Sequence, residues 1–213
     1  MCIRDRRNLL LTFDDGFASN RLVAEGVLNP MGIQALFFIV SDFMSLQNQE
    51  DAIDFISKNI QPGSQPIDLP ETWNNMTQQD LEALLEQGHT IGAHTKTHAR
   101  LSNIKVEKNL QEEIISCADI LEKKLGVPID HFAYTFGDLA SFSEEALVIA
   151  KRRFRFIYSG LRGDNAKSTV PFAIKRDSAA TQDARSNYSI FSNSLLGSFL
   201  EGTADFKYKN DNF

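Results

Sequence analysis

Residues 8–16 read NLLLTFDDG, a short apolar run that ends in two carboxylates and a glycine. The run is too short for a helix and is typical of a buried strand followed by a turn. Adjacent carboxylates repel each other, so a bound cation is one way to stabilise Asp14 and Asp15, and Gly16 gives the turn the backbone freedom to direct both toward one site. A solvated Asp-Asp-Gly turn is the alternative, and this stretch alone does not decide between the two.

The rest of the chain continues the alternation of strand and helix that this stretch begins. Further strands are predicted at residues 34–40, 89–93, 131–136, 154–159 and 172–175, and helices at residues 19–29, 48–60, 77–87, 106–125, 144–153 and 187–200. The pattern predicts an α/β protein with βα units around a mostly parallel sheet or barrel. Periodicity does not distinguish an open sheet from a closed barrel. In either, the carboxyl ends of the strands are where functional groups collect.

Length and composition narrow the class of protein. The chain has 213 residues, which favours one domain with a sizeable core. Its formal charge of −6 disfavours a nucleic-acid partner, because a phosphate backbone needs a basic surface. The longest apolar stretch, residues 35–40, is far too short to cross a bilayer, so no transmembrane segment is expected.

The expected organisation is a leader, one domain and a tail. Residues 1–7 fit nothing that follows and are interpreted as an artefactual leader, residues 8–204 form the domain, and residues 205–213 form a polar tail. Because the true N-terminus is then missing, secreted, periplasmic and cytoplasmic locations all remain open.

A second polar motif follows the strand predicted at residues 89–93. It reads His94-Thr95-Lys96-Thr97-His98. Histidines four residues apart lie on the same side of one helical turn, and this spacing suits joint metal ligation. Two histidines and one carboxylate, with a position left for water, are typical of a catalytic metal site. A divalent ion there would bring the pKa of its water to about 7, and the second aspartate would be free to act as general base.

Together the motifs resemble a known family. Thr-Phe-Asp-Asp-Gly at residues 12–16, then Gly-His-Thr-Ile-Gly-Ala at 88–93 and His-Thr-Lys-Thr-His at 94–98, are similar to the NodB-homology polysaccharide deacetylases, carbohydrate esterase family 4. The likeness extends from about residue 8 to at least residue 138. The resemblance implies a distorted (β/α) barrel. It also implies that Asp15, His94 and His98 bind a divalent metal, usually Zn²⁺, and that Asp14 is the catalytic base.

The family's third motif, Arg-x-Pro followed by Tyr or Phe, has its counterpart in Ala133-Tyr134-Thr135-Phe136. The resemblance implies that the backbone N–H of Phe136 is the oxyanion donor. Ala133 stands in place of the arginine, as in one subgroup of the family. Thr135 stands in place of the proline, and this departure predicts a looser loop.

The last third of the chain departs further from the family pattern. The family's late Leu-x-His motif supplies a histidine that protonates the leaving amine, but no histidine follows His131 here. Arg176 and Asp177 follow the strand predicted at residues 172–175, so Arg176 is a candidate charge partner for Asp14 in place of the lost arginine. A surface Arg-Asp pair is the alternative.

Other histidines and aromatic residues have simpler interpretations. His89 is interpreted as a structural histidine at a strand edge, and His131 has no partner at ligand spacing. Trp73 and Tyr134 are candidate substrate-binding residues, because an aromatic face suits the C–H surface of a sugar. Core packing is the stronger expectation for Tyr134, while the two roles are evenly balanced for Trp73.

The leading hypothesis is a metal-dependent hydrolase that cleaves the linear amide of N-acetylated amino sugars in a polysaccharide or oligosaccharide. Metal polarisation and Asp14 would activate water, and the Phe136 N–H would stabilise developing charge. One alternative is a catalytically weakened deacetylase domain that binds carbohydrate, suggested by the missing arginine and late histidine. Another is an O-acetyl esterase, because the metal chemistry does not select the acyl acceptor.

Overall fold

Five parallel strands form the centre of the computed structural model, which describes residues 9–66, 69, 73–165 and 169–177. The strands lie side by side in the order of the sequence. They are β1 (Leu11–Phe13), β2 (Ala35–Ile39), β3 (Thr90–Ala93), β4 (His131–Ala133) and β5 (Phe156–Tyr158). The sheet curls into a half-barrel with helices, so the predicted α/β class and distorted (β/α) barrel are confirmed.

Six α-helices connect the strands. They are α1 (Ala18–Val23), α2 (Ser41–Met44), α3 (Gln49–Phe55), α4 (Gln78–Glu86), α5 (Glu107–Leu125) and α6 (Glu144–Arg153) in the described part of the chain. Single π-helical turns, Ala24–Leu28 and Ile56–Ile60, continue α1 and α3, and short 3₁₀ turns occupy Asn29–Met31, Leu101–Asn103 and Leu139–Ser141. Among the described residues, no helix combines the length and apolar character that crossing a membrane requires.

The helix ends follow local chemistry. Thr77 and Asp80 form a capping box at the start of α4. Gly126 adopts a left-handed conformation with φ 68° and ends α5. Such caps depend on neighbouring residues, which is why these boundaries were predictable from the sequence.

The two faces of the sheet are buried differently. On the face covered by the helices, alternate β2 residues such as Phe37 pack with Ile114 of α5 and Phe132 of β4. On the opposite face, Phe38 packs with Leu36, Ala133 and Tyr158. Burial on both faces is what makes the strands read as continuous apolar runs.

Several predicted segments differ from the structure. The strand predicted at residues 131–136 ends at Ala133, because the chain turns into a loop that reaches φ 64° at Phe136. The strand predicted at residues 172–175 is reduced to one bridge between Ile174 and Tyr158. The leader at residues 1–7, the helix at residues 187–200 and the tail at residues 205–213 lie outside the described residues.

Candidate active site

The candidate functional residues meet at the carboxyl ends of the strands. Asp14 and Asp15 follow β1, His94 follows β3, and the segment that contains Phe136 follows β4. Backbone bonds tie these ends together, since the Val40 N–H donates to the Asp15 carbonyl over 3.2 Å and the His94 N–H donates to the Ile39 carbonyl over 3.0 Å. The parallel sheet therefore converts motifs that are distant in sequence into one site.

Asp15, His94 and His98 form a compact triad. The Nε2 atoms of His94 and His98 lie 3.4 Å and 3.3 Å from the same carboxylate oxygen, Asp15 Oδ1. One ligand atom from each residue fits within 4.8 Å of the others, and both imidazoles are buried. Two imidazole nitrogens and one carboxylate oxygen are a donor set that suits a divalent ion such as zinc.

The other ring nitrogen of each histidine fixes its tautomer. His94 Nδ1 lies 2.8 Å from the Ala133 carbonyl, and His98 Nδ1 lies 2.8 Å from the Asn59 carbonyl. A carbonyl only accepts hydrogen bonds, so each Nδ1 carries the hydrogen and each Nε2 keeps its lone pair directed at Asp15. In metal sites, a hydrogen bond at the other ring nitrogen typically orients the imidazole. The triad therefore suits a metal both in its donor atoms and in the tautomers of its histidines.

The electrostatics of the triad also favour a cation. Burial alone would raise the pKa of Asp15, but when His94 and His98 are protonated and carry a hydrogen on Nε2 as well, their hydrogen bonds and charge bring it well below its ordinary value of 3.8. Burial alone would lower the pKa of His94, but Asp14 and Asp15 outweigh it and the net shift is upward. The carboxylates thus stabilise positive charge between them and the imidazoles.

The triad is assembled on loops in an unusual backbone conformation. The non-glycine residues with positive φ in the described chain are Asp15 (72°), Thr95 (62°), His98 (64°) and Phe136 (64°), and all lie in these loops. Such conformations are strained and concentrate at functional sites. Residues 94–98 form a loop and not the helical turn that the spacing of the histidines suggested. The left-handed conformations of Thr95 and His98 bring the two histidines to one carboxylate.

Arg176 forms a bidentate ion pair with Asp14. Its Nη1 and Nη2 donate to Asp14 Oδ1 and Oδ2 over 2.6 Å and 2.8 Å. Nε also donates to the Ser159 carbonyl over 3.0 Å, and Nη1 donates to Thr12 Oγ1 over 3.2 Å. The structure therefore places Arg176 at the candidate site and not in a surface pair.

Comparison with known proteins identifies the family of the chain. The sequence profile described as "Polysaccharide deacetylase" matches residues 3–153. The chain belongs to the polysaccharide deacetylase family. No curated protein matches the sequence.

Solved structures of deacetylases share its fold. The Streptococcus pyogenes deacetylase PplD superposes with a TM-score of 0.61 at 18% identity, over 78% of this chain and 62% of that one. A polysaccharide deacetylase from Bacillus cereus gives 0.60 at 19% identity, over 84% and 49%. The deacetylase domain of BpsB from Bordetella bronchiseptica gives 0.61 at 15% identity, over 78% and 69%. The chain thus spans about 62% of the first of these structures and 49% of the second.

The third motif of this chain is held more firmly than its threonine suggested. Thr135 is buried, and its hydroxyl donates to the Ala99 carbonyl over 2.6 Å, one residue beyond His98. The predicted loosening of this loop is therefore wrong, because a hydrogen bond ties it down where the family has proline. Next to it, a Cβ on Gly137 would lie 2.5 Å from the backbone nitrogen of Gly160, so only glycine allows this approach.

Phe136 lies at the exposed edge of the triad. The residue is 39% exposed, and its ring lies 4.8 Å from the His98 ring between centroids. Its backbone N–H donates no hydrogen bond to any of the residues that the structure describes. This donor is therefore available to a ligand.

The two aromatic residues proposed to bind substrate, Tyr134 and Trp73, lie in different surroundings. Tyr134 is 1% exposed and stacks on Phe142 at 4.2 Å, so the structure rules out its contact with a sugar and puts it in the core. The alternation of side chains in β4 continues one residue beyond its end, so Phe132 and Tyr134 share the face that the helices cover. Trp73 is half-buried against Phe17, 5.4 Å away between ring centroids, beside the Asp-Asp-Gly loop.

Two residues of the site were not predicted from the sequence. Asn59 contributes only its backbone carbonyl, which any residue type provides, so no sequence signal exists for it. Glu113 accepts two hydrogen bonds from Thr97 but lies among other polar residues of α5. Helical periodicity marks the apolar face of α5 and cannot select one carboxylate on its polar face.

Proposed function

We propose that this chain is a zinc-dependent deacetylase that removes N-acetyl groups from amino sugars of a polysaccharide or oligosaccharide. The observation that carries the proposal is the pairing of a metal-type triad with a separate carboxylate, Asp14, that Arg176 holds by both oxygens. A binding site for carbohydrate needs no such carboxylate, whereas amide hydrolysis requires a base for water.

Asp15, His94 and His98 would hold the metal through one carboxylate oxygen and two Nε2 atoms. When bound, the divalent ion would polarise the acetyl carbonyl and lower the pKa of water. The Nδ1–H groups of the two histidines stay on the Ala133 and Asn59 carbonyls and keep both rings in place.

Asp14 would accept the proton from the attacking water. Each of its oxygens receives one hydrogen bond from Arg176, and a carboxylate oxygen has a further lone pair for a second partner. As water adds to the acetyl carbon, the Phe136 N–H donates to the oxygen on which negative charge develops. No histidine follows His131, so Asp14 itself would return the proton to the amine nitrogen as the C–N bond breaks, giving acetate and a free amine.

The test is acetate release from N-acetylglucosamine oligomers by the zinc-loaded protein, with Asp14→Asn and Asp15→Asn as matched variants. We expect Asp14→Asn to keep zinc and lose about 10²- to 10⁴-fold in rate. We expect Asp15→Asn to lose both zinc and activity.

Two outcomes would contradict the proposal. Release from O-acetylated sugars without release from N-acetylated ones would identify an esterase. Binding of oligomers by zinc-loaded protein with no acetate released from either substrate would identify a carbohydrate-binding domain.

A further inference from the structure

The loop between the two candidate ligand histidines is clamped to α5 by one residue, Glu113. Its Oε2 accepts the Thr97 N–H over 2.9 Å and its Oε1 accepts the Thr97 hydroxyl over 2.7 Å. Its backbone carbonyl accepts the Lys96 N–H over 2.9 Å. One helical residue therefore fixes two consecutive residues of the loop.

This loop needs such a clamp because its conformation is strained at both ends. Thr95 and His98 have φ values of 62° and 64°, a region that β-branched and bulky residues seldom occupy. Residues remain in such strained conformations only when contacts with the surrounding structure hold them in place. Without the clamp, relaxation at Thr95 or His98 would turn the imidazoles away from Asp15.

The anchor itself is rigid. Helix α5 spans 19 residues, and Ile114, next to Glu113, is fully buried against the sheet. Glu113 thus transmits the position of the helix to the loop through two short hydrogen bonds to an ionised acceptor, which are among the stronger hydrogen bonds in proteins.

The neighbouring glutamate provides a comparison within the same helix. Glu112 lies 3.7 Å from Lys96 Nζ, and its side chain is 57% exposed. It touches the same loop but accepts nothing from Thr97. Substituting Glu112 removes the same charge at almost the same place without breaking the clamp.

We propose that Glu113 is a positioning residue for the metal centre, acting through Thr97 to hold His94 and His98 with both Nε2 atoms directed at Asp15. It sets the affinity of the triad for a divalent metal. The inference rests on the proposed function only in requiring that Asp15, His94 and His98 bind such a metal, and it does not depend on the substrate.

The experiment measures the zinc dissociation constant of the full chain by competition with a chromophoric chelator. Glu113→Gln should weaken zinc binding about 10- to 100-fold, as loss of an outer partner of a metal ligand typically does. Glu112→Gln should stay within about twofold of the parent, because exposed ion pairs contribute little. The visible spectrum of the Co²⁺-loaded Glu113→Gln protein should also change, since ligand geometry determines it.

Substitutions at Thr97 test the same clamp from its other side. Thr97→Ser keeps both donors and should bind zinc as the parent does, whereas Thr97→Val loses the hydroxyl and should bind more weakly. The double variant Thr97→Val/Glu113→Gln should bind no more weakly than Glu113→Gln alone, because both changes break one interaction. Unfolding of the metal-free variants separates lost affinity from lost fold.

Two results would overturn the inference in different ways. If the parent and Glu113→Gln bind zinc equally, Glu113 does not position the triad, and the proposed function is unaffected. If the parent itself binds no zinc, the metal centre fails and the inference fails with it.

Discussion

The four histidines of this chain lie at the two ends of the parallel strands, here called the amino edge and the carboxyl edge of the sheet. The histidines have different surroundings at the two edges. His89 and His131 lie at the amino ends of β3 and β4, whereas His94 and His98 lie beyond the carboxyl end of β3. His89 accepts the Ala35 N–H over 3.1 Å at Nδ1, and its Nε2 is 2.9 Å from Asn29 Oδ1. It therefore has a neutral partner for each nitrogen.

At the carboxyl edge each imidazole has one neutral and one charged neighbour. Burial lowers the pKa of His89 and of His131, whereas Asp14 and Asp15 raise that of His94 despite its burial. Burial of a histidine is therefore no sign of function by itself. The informative feature is a buried Nε2 that faces a carboxylate shared with a second histidine.

The largest expected effect comes from comparing the same substitution, histidine to glutamine, at one histidine of each edge. His94→Gln should lose more than about 100-fold in zinc affinity, beyond the typical effect of an outer partner, because a ligand itself is removed. His89→Gln should leave zinc binding unchanged and lower the free energy of unfolding by about 1–3 kcal/mol, because buried partners lose a hydrogen bond. Zinc titration and urea unfolding of both variants measure this, and zinc loss in His89→Gln would break the comparison.

The next effect concerns the ion pair between Arg176 and Asp14 at the carboxyl edge. Arg176→Ala should lower the rate of acetate release about 10- to 100-fold through misorientation of Asp14, with zinc affinity retained. Arg176→Lys keeps the charge but not the bidentate geometry, so its rate should lie between those of Arg176→Ala and the parent. Equal rates for the parent and Arg176→Ala would leave Arg176 a purely structural residue.

A smaller effect is expected at Thr135, which joins the third motif to the histidine loop. Thr135→Val should lower the free energy of unfolding by about 1–2 kcal/mol, because the Ala99 carbonyl loses its donor. Thr135→Pro, the residue of the family motif, should retain the rate, because within the described residues the Thr135 N–H donates no hydrogen bond. Urea unfolding and acetate release check both, and a lower rate in Thr135→Pro than in Thr135→Val would contradict this account.

The smallest effect is a pH dependence at the amino edge. The pKa of His89 lies below its ordinary value of 6.5 in the folded protein, so the unfolded chain takes up the proton first as pH falls. The stability that His89 contributes is therefore present at neutral pH and is lost as pH falls through its unfolded value. The difference in unfolding free energy between the parent and His89→Gln should shrink from about pH 8 to about pH 5. A difference that grows over this range would show the opposite sign.

Much of the fold was determined by short-range patterns that the sequence carries. The helix predicted at residues 144–153 is α6 in full, and the periodic apolar residues from Val106 onward outline α5 with its end at Gly126. It was also predictable from the sequence that the motif residues at the ends of β1 and β3 meet, because parallel strands bring their carboxyl ends to one edge. These features depend on propensities, caps and apolar spacing within a few residues.

The features that only the tertiary structure decided are those that depend on contacts between residues distant in sequence. Asp14 and Arg176 are 162 positions apart, and no local pattern fixes that their side chains meet. The left-handed turns at Thr95 and His98, the Thr135 bond to Ala99 and the clamp by Glu113 arise in the same way, because packing against α5 and β4 overrides local preference. The sequence alone supplied the chemical groups and the strands that carry them, whereas long-range packing set the directions in which those groups point.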